Sequence, residues 1–193
     1  ACIEGLVKLN TNAQIQPGIS AVSRTLDTKT MESVAQEINS YKLEDRFEPK
    51  YSTYLASVYN TLLVKNISWY VEGAFKTEDV VRDLTGKLFN PNRGYVLYST
   101  ATYSKKGFGL VLQGKYTSKF DFRIAPSEIQ NAGLVHFLPS LTRLNTYRLT
   151  SRYNAATQLL GEVALQGDIT YTPKKGVTFS LNVSDIFDPD NSD

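Results

Sequence analysis

The polar side chains that alternate with apolar ones along single segments are the first candidates for chemistry in this sequence. Glu162 and Asp168 share one side of such a segment, and two carboxyl groups close together could act as an acid and a base. On an extended strand at ~3.3 Å per residue these two residues lie about 20 Å apart, which is too far for a catalytic pair within one strand. We therefore predict no acid–base pair in this segment.

His136 is the single imidazole of the chain and Cys2 is its single thiol. A serine nucleophile would need His136 as its base, but no Gly-x-Ser-x-Gly elbow is present and neither Ser140 nor Ser151 is marked as a nucleophile. A structural zinc site takes about four Cys or His ligands, and the loop carboxylates lack the spacing of a calcium-binding loop. We therefore expect no enzyme activity, no metal site and no cofactor.

Composition narrows the class of protein further. The 193 residues carry 21 Lys and Arg against 19 Asp and Glu, a formal net charge of +2. A nucleic-acid partner is not expected, because binding to phosphates needs a clustered cationic surplus. No stretch approaches the roughly 18 uninterrupted apolar residues of a transmembrane helix, and the length suits one domain over residues 1–193.

Regular alternation of apolar and polar residues predicts strands in several segments. The clearest are Ile67–Lys76, Phe108–Thr117, Tyr147–Tyr153, Gly161–Thr172 and Val177–Ser184. The alternation is weaker in Asn12–Leu26, Tyr51–Val64, Gly94–Ser104 and Asn131–Leu138. The total is about nine strands, several of them roughly 10–12 residues long, whereas soluble strands average about 5–6 residues and bilayer-spanning strands need ~9–11.

The predicted connections alternate in length along the chain. Tight turns are expected at Lys65-Asn66, Lys105-Lys106, Pro139–Arg143 and Pro173–Lys175. Longer loops are expected at Thr28–Lys50, Thr77–Arg93, Lys119–Gln130 and Ala155–Leu160. This plan is typical of outer-membrane barrels, with turns on one side of the membrane and loops on the other. The first long loop, residues 27–50, includes a predicted short helix over Thr30–Lys42, where Met31, Val34, Ala35 and Ile38 share a face.

Three stretches of the chain share a pattern with a known family. They are Gly94-Tyr95 through Tyr103–Gly107, then Phe137–Arg143 with Thr146-Tyr147, and then Gly161-Glu162 through Gln166 to Tyr171. Together they resemble an uncharacterised outer-membrane β-barrel family of the Bacteroidota, most closely between Val58 and Ile186. His136 and Leu144-Asn145 depart from the family pattern, which usually has Asn before the Leu-Pro pair and a Gln-His pair after it.

The resemblance implies a Gram-negative, outer-membrane location and a family with no known catalytic residues. It also implies a portion of a longer protein, because members of that family are several times longer. Nine strands would place the two chain ends on opposite membrane faces, whereas single-chain barrels have an even strand number. Either the chain is a portion of a larger barrel, or Asn12–Leu26 is not a strand and the remaining eight strands form a closed barrel.

The expected fold is thus all-β, an antiparallel up-and-down transmembrane β-barrel or part of one, with about 8–9 strands. In such a barrel the polar positions of each strand face the lumen, where their charges commonly pair with each other, and the apolar positions face lipid. The predicted lumen-facing residues are Glu72, Lys76, Gln113, Lys115, Arg148, Arg152, Glu162, Gln166 and Asp168. The predicted lipid-facing residues are Trp69, Val71, Phe75, Leu110, Leu112, Leu149, Val163, Leu165, Ile169, Phe179 and Leu181. Tyr70 and other aromatic residues near strand ends would belong to an interfacial girdle, although tyrosine is also a common strand residue.

The expected function follows from this fold and the resemblance. It is an integral outer-membrane β-barrel, porin-like in form, with a structural, pore or complex-forming role. Its partners would be the lipid bilayer, lipopolysaccharide and other outer-membrane proteins. Two alternatives stay open: a soluble or periplasmic β-barrel or β-sandwich that binds a small apolar ligand, and a surface adhesin or partner-binding protein that acts through its long loops. Alternation alone cannot separate a membrane barrel from a soluble one.

Overall fold

The structure is a computed structural model of the chain. It describes residues 1–83, 85–90, 93–128, 133–136, 138–141 and 158–189. In these ranges the chain is mostly antiparallel β-sheet with little helix, which confirms the predicted all-β class.

The elements follow one another along the chain in the order of their numbers. The strands are β1 Cys2–Glu4, β2 Val7–Asn10, β3 Ala13–Thr25, β4 Ser52–Val64, β5 Ile67–Lys76, β6 Val81–Arg82, β7 Leu88–Phe89, β8 Gly94–Lys105, β9 Phe108–Ser118, β10 Gly161–Lys174 and β11 Val177–Phe187. An α-helix, α1, spans Thr28–Asn39, and a short 3-10 helix spans Leu43–Asp45.

A nine-stranded sheet forms the body of the molecule, with the order β1-β3-β4-β5-β8-β9-β10-β11 and with β2 also paired to β3. Each long strand is antiparallel to the next long strand in the sequence, as an up-and-down meander requires. The sheet is open among the described residues, because β11 lies at one edge and the short strands β1 and β2 lie along the other. The predicted closure into a barrel is therefore not observed in this part of the chain.

Seven of the predicted strands are present with closely matching bounds, namely β3, β4, β5, β8, β9, β10 and β11. Of the predicted strand Asn131–Leu138 the structure describes residues 133–136 and 138, and these form no strand, since Leu134 makes an isolated bridge with Arg123. Gly133, at a φ of 67°, lies in the left-handed region and interrupts an extended backbone there. The predicted strand Tyr147–Tyr153 lies outside the described residues. Ser118 at the end of β9 pairs directly with Gly161 at the start of β10, so the two strands are neighbours in the sheet.

Tight turns close the strands at one end of the sheet. They lie at residues 11–12, 65–66, 106–107 and 175–176. Gly107 and Gly176 have φ values of 78° and 85°, a conformation that glycine adopts without the steric cost of a Cβ atom. The long connections, residues 26–51, 77–93 and 119–160, all leave from the opposite end. Among the described residues of β3 to β11 the predicted alternation of short and long connections is present, while residues 142–143 of the predicted turn Pro139–Arg143 lie outside the described residues.

Helix α1 lies in the first long connection. Asp27 is its N-cap and accepts a hydrogen bond from the Thr30 backbone N–H at 2.9 Å, so the helix begins before the predicted Thr30. Its spacing places Met31, Val34 and Ile38 on one buried face. The helix ends at Asn39, before the predicted Lys42.

The three long connections pack together into what we call the loop layer, made of the described residues of 26–51, 77–93 and 119–160. Val34 and Ile38 of α1 form a buried cluster with Val80 and Leu88 of the second connection. Phe120, Phe122 and Leu141 of the third connection are also buried. The largest buried apolar side chains therefore lie in the loop layer. Of the helices in the described ranges, none is long and apolar enough to cross a membrane.

Candidate functional site

The polar face of the sheet is defined by the strand register, because residues paired across antiparallel strands point to the same side. Tyr59 of β4 pairs with Glu72 of β5, and Glu72 pairs with Tyr98 of β8. Tyr98 pairs with Lys115 of β9, and Lys115 pairs with Ala164 of β10. This row of side chains crosses five strands on one side of the sheet, which we call the polar face.

The predicted lumen-facing residues that the structure describes share this face. They are Glu72, Lys76, Gln113, Lys115, Glu162, Gln166 and Asp168. Arg148 and Arg152 lie outside the described residues. The alternation correctly predicted that these residues lie on one side of the sheet. That this side faces a barrel lumen stays a prediction.

The opposite side of the sheet is the apolar face. Trp69 of β5 pairs with Ala101 of β8, which pairs with Leu112 of β9. The predicted lipid-facing residues on this face are Trp69, Val71, Phe75, Leu110, Leu112, Val163, Leu165, Ile169, Phe179 and Leu181. Leu149 lies outside the described residues. The contact of this face with lipid stays a prediction.

The apolar face is more exposed than the polar face, which is the reverse of an ordinary sheet in a soluble protein. On the apolar face Leu165 is 52% exposed and Phe179 is 60% exposed. On the polar face Lys76 is 0% exposed, and Lys115 and Glu162 are each 3% exposed. Water normally solvates charged groups and drives apolar ones inside, so this inversion needs either a different solvent or a partner on the apolar face.

Burial of the polar face is concentrated near the loop layer. Thr53, Ser57 and Thr117, which lie toward the long connections, are buried. Ser104 and Thr170, which lie toward the tight turns, are exposed. The loop layer therefore covers the end of the polar face from which it emerges.

A buried ionic cluster joins the first strands to the loop layer. Arg24 of β3 forms an ion pair with Asp79 and donates to Thr53 Oγ1 at 2.9 Å. Lys76 Nζ lies 3.4 Å from Asp79 Oδ2 and donates to the backbone carbonyl of Asp121. Thr53 Oγ1 also donates to Asp79 Oδ1 at 3.1 Å. Buried charges require such partners, because removal from water costs several kcal/mol per ion.

A second buried pair lies farther along the sheet. Lys115 Nζ of β9 is 2.6 Å from Glu162 Oε1 of β10 and donates to the Pro139 carbonyl at 2.8 Å. The other carboxylate oxygen, Glu162 Oε2, accepts the backbone N–H of Gln158 at 2.6 Å. Thr117 Oγ1 donates to the Gln158 carbonyl at 2.9 Å. This pair attaches the third connection to the polar face at two points, Pro139 near its middle and Gln158 near its end.

Three tyrosines form a row across the middle of the polar face. The ring centroids of Tyr59 and Tyr70 are 6.4 Å apart, and those of Tyr70 and Tyr98 are 6.1 Å apart. The Tyr70 hydroxyl donates to Glu72 Oε2 at 2.6 Å, and Gln113 Nε2 donates to the Tyr98 hydroxyl at 3.0 Å. Tyr70 therefore lies within the polar network and not in the interfacial girdle predicted for it.

A third network lies near the β10–β11 hairpin. Gln166 Nε2 donates to Asp168 Oδ2 at 3.0 Å, and Asn182 Nδ2 donates to Asp168 Oδ1 at 2.9 Å. Asp168 and Glu162 consequently belong to separate networks, as expected from their spacing on the strand. The polar face holds paired side chains of the kind predicted for barrel interiors.

The part of the third connection that lies against the polar face is called the strap, and it comprises the described residues 120–128, 133–136 and 138–141. It folds back on itself, since Ile124 N–H donates to the Gly133 carbonyl at 2.8 Å and Val135 N–H to the Phe122 carbonyl at 3.0 Å. His136 belongs to the strap; its Nδ1 is 3.1 Å from the Phe122 carbonyl oxygen. Burial holds the pKa of His136 below its usual value, because removal from water disfavours the imidazolium.

Arg82 connects the three parts of the loop layer. Its guanidinium donates to Glu37 Oε1 at 2.8 Å and Oε2 at 2.9 Å, and its Nε donates to the Pro126 carbonyl at 3.0 Å. These bonds lower the pKa of the Glu37 carboxyl. One side chain of β6 thus holds α1 and the strap together.

A further ion pair lies in the strap, where Arg123 Nε donates to Asp121 Oδ1 at 2.8 Å. The sequence did not predict that Arg24, Asp79, Asp121 and Arg123 belong to these networks. The sequence could have indicated Arg24, because it lies on the same side of β3 as the polar residues Gln14, Gln16 and Ser20. The other three lie in the connections, where no periodicity indicates which side chain turns toward the sheet.

The described residues contain no group of three or more His, Cys, Asp and Glu side chains that could hold a metal ion. Cys2 is exposed, and its Sγ lies 3.2 Å from the Tyr59 hydroxyl. The networks described above join protein groups to one another. Their role within the fold is to attach the loop layer to the sheet and to keep buried charges paired.

Comparison with known proteins gives one family. The model of a family of unknown function (DUF6029) matches residues 2–191. No curated protein and no solved structure matches the chain. The family match spans both faces of the sheet and the loop layer, and its description names no activity.

Proposed function

We propose that this chain, which belongs to the family of unknown function DUF6029, forms an integral outer-membrane β-barrel or a portion of one. Its role is structural, pore-forming or complex-forming and not catalytic. The observation that carries the proposal is the inverted sheet, with an exposed apolar face and a polar face whose loop end is buried under the loop layer.

A bilayer makes this inversion favourable. In hydrocarbon the exposed apolar side chains need no further cover, and every backbone group of a central strand is already paired within the sheet. Charged side chains are almost absent from the aligned positions of the apolar face, where Lys105 and Asp185 occur. Lys174 lies beyond a register shift at the end of β10. Lipids and lipopolysaccharide are therefore the proposed partners of this face, and no nucleic acid is expected.

Strand length and connectivity also support a membrane location. The strands β3 to β5 and β8 to β11 are 10 to 14 residues long. A strand that crosses a bilayer with a tilt needs about 9–11 residues. Short turns at one end and long connections at the other are the arrangement typical of outer-membrane barrels.

The two open edges of the sheet set a requirement on this proposal. Unpaired N–H and C=O groups in hydrocarbon cost several kcal/mol each, so a lone edge cannot face lipid. β11 and the β1–β3 edge must therefore pair with further strands, from a longer polypeptide or from a second copy. The proposal is for a closed barrel to which these nine strands contribute.

The soluble alternative requires the reverse distribution of exposure. A lipocalin-like barrel or a β-sandwich packs its apolar face inward and solvates its polar face. Leu112, Leu165 and Leu181, all more than half exposed, would have to be covered by a second sheet or by a ligand. No second layer covers them in the described ranges, so we favour the membrane proposal.

The proposal is tested by fractionation of cells that produce the native protein. We expect recovery in washed outer membranes, and migration on a gel that changes when the detergent-extracted protein is boiled, because closed barrels resist detergent unfolding. Recovery in the soluble fraction with migration that boiling leaves unchanged would contradict the proposal and favour the apolar-ligand alternative.

A second experiment tests whether the loop layer binds a partner. Deletion of residues 43–49, which follow α1 and contribute an exposed Leu43, removes a surface of the layer and leaves the strands intact. If the deletion spares membrane insertion but abolishes capture of a partner, the chain acts as an adhesive or partner-binding surface protein.

A further inference from the structure

Three basic side chains from different strands hold the strap by its backbone. Arg24 Nη1 of β3 donates to the Arg123 carbonyl at 2.9 Å, and Lys76 Nζ of β5 donates to the Asp121 carbonyl. Lys115 Nζ of β9 donates to the Pro139 carbonyl at 2.8 Å. Since each acceptor is a backbone oxygen, these contacts fix the path of the strap whatever its side chains are.

The three basic residues span most of the polar face. β3 and β9 are separated by β4, β5 and β8, which makes four steps between neighbouring strands. At ~4.8 Å per step the strap is held at points about 19 Å apart across the sheet. The contacts therefore attach the strap across the polar face and not merely to the strand from which it emerges.

Apolar groups of the strap strengthen the attachment. Phe122 is 0% exposed and lies under the guanidinium of Arg24, whose Cζ is 5.7 Å from the ring centroid. Phe120 is buried and its ring meets His136 edge to face, with centroids 5.4 Å apart. A solvent-facing loop does not bury aromatic rings against charged strand residues, so this segment is packed into the polar side of the sheet.

We propose that the strap closes the loop end of the polar face, and that hydrophilic solutes reach that end of the face only when the cation–carbonyl contacts release. This inference rests on the proposed barrel, in which the polar face lines the interior. The strap then acts as an internal gate for small water-soluble molecules, held shut by Arg24, Lys76 and Lys115.

The test measures access to two serine positions on the polar face in the detergent-solubilised protein. Cys2 is the single cysteine, so Cys2→Ser provides a background without thiols. Ser57→Cys introduces the loop-end thiol, at a position that is 4% exposed near the loop layer. Ser68→Cys introduces the turn-end thiol, on the same face toward the tight turns, where the side chain is half-buried. The probe is a charged, water-soluble maleimide.

Two variants release the strap from opposite sides. Lys115→Met with Glu162→Gln removes the contact to Pro139 without leaving an unpaired buried carboxylate. Phe122→Ala removes an anchor on the strap and leaves every strand residue unchanged. The control, Lys87→Met with Asp45→Asn, removes an ion pair of 2.9 Å in the loop layer whose two residues lie outside the strap.

We expect slow labelling of the loop-end thiol and faster labelling of the turn-end thiol when the strap is intact. Each release variant should raise the labelling rate of the loop-end thiol by about tenfold or more, because one removes a hydrogen bond to a charged group and the other removes a buried aromatic ring that holds the closed state. The labelling rate of the turn-end thiol should not change, and the control should behave as the parent does.

Equal labelling of the two thiols in the parent protein would overturn the closure. An unchanged rate at the loop-end thiol in both release variants, or equal increases at both thiols, would overturn the assignment of the gate to the strap. Flotation of the same variants with liposomes tests the barrel separately. Flotation without a selective increase at the loop-end thiol removes the gate and keeps the membrane proposal, whereas a selective increase without flotation keeps the covering strap and removes the membrane proposal.

Discussion

At the scale of single residues, His136 reports on the strap, because it is the sole histidine of the 193 residues and is half-buried there. Burial lowers its pKa, and the Lys76 and Arg123 charges act in the same direction, while the Phe122 carbonyl and Asp121 oppose them. The unfolded chain, with an ordinary pKa of about 6.5, thus binds a proton at a higher pH than the folded chain does.

We predict from this sign that His136 costs no stability above about pH 6.5 and destabilises the fold progressively as the pH falls below that value. NMR titration of the single imidazole measures its pKa, and acid unfolding of His136→Gln, compared with the parent, measures the linked loss. A pKa at or above the ordinary histidine value would show that removal from water does not dominate at this ring, and it would contradict the packing of the strap.

A second prediction concerns Gly18 on the polar face of β3. A Cβ atom at this position would overlap the ring of Tyr59, whose hydroxyl donates to Glu4 Oε2 at 2.9 Å. Gly18→Ala should therefore destabilise the fold by about 1–3 kcal/mol through overpacking. In a Tyr59→Ala background the same change should cost far less, and denaturant titration of the four variants gives the coupling. Equal costs in both backgrounds would show that the ring moves aside freely.

At the scale of elements, alternation of apolar and polar residues predicted the long strands that pair with a neighbour over their whole length. It did not predict the short strands, and it was misleading within the strap. Each of β3 to β5 and β8 to β11 has a full-length partner on at least one side, so the period of two is expressed over the whole strand. The short strands β1 and β2 were not predicted, because three or four residues carry too little pattern. Asn131–Leu138 alternates in part, yet Leu134 pairs with Arg123 inside the strap.

The candidate site was predictable to a similar degree. The polar residues of the strands were assigned to one face, since register follows from periodicity. Their partners Asp79 and Asp121 come from connections, whose paths depend on tertiary packing and not on a local period. The inverted exposure of the two faces is likewise a property of the whole sheet, since Leu165 would alternate with its neighbours in either kind of barrel.

The tight turns give a matched prediction at this scale. Gly107 and Gly176 both have positive φ, but only at Gly107 would a Cβ atom meet another group, 2.8 Å from the Thr172 carbonyl oxygen. Gly176→Ala should cost about 1–2 kcal/mol for the left-handed backbone alone, and Gly107→Ala should cost more. Unfolding by urea compares the two. An equal cost would mean that the β8–β9 turn shifts away from Thr172 of β10.

At the scale of the whole molecule, the question is which solvent surrounds the apolar face. Val183 and Ser184 are adjacent in β11 and both exposed, with Val183 on the apolar face and Ser184 on the polar face. In water, arginine at either position would be tolerated, because surface substitutions usually change stability by less than about 0.5 kcal/mol. In a bilayer, Val183→Arg would place a charge in hydrocarbon at a cost of about 2–4 kcal/mol near the midplane.

We therefore predict that Val183→Arg destabilises the protein in phospholipid vesicles by about 2–4 kcal/mol and that Ser184→Arg does so by much less. Reversible unfolding of both variants in vesicles measures the difference, and thinner bilayers should reduce it, because they bring position 183 nearer to the interface. Equal stability of the two variants would mean that water bathes both faces of β11. The exposed apolar face would then require a protein or an apolar ligand as its cover, since Phe179, Leu181 and Val183 are each about three-fifths exposed in the isolated chain.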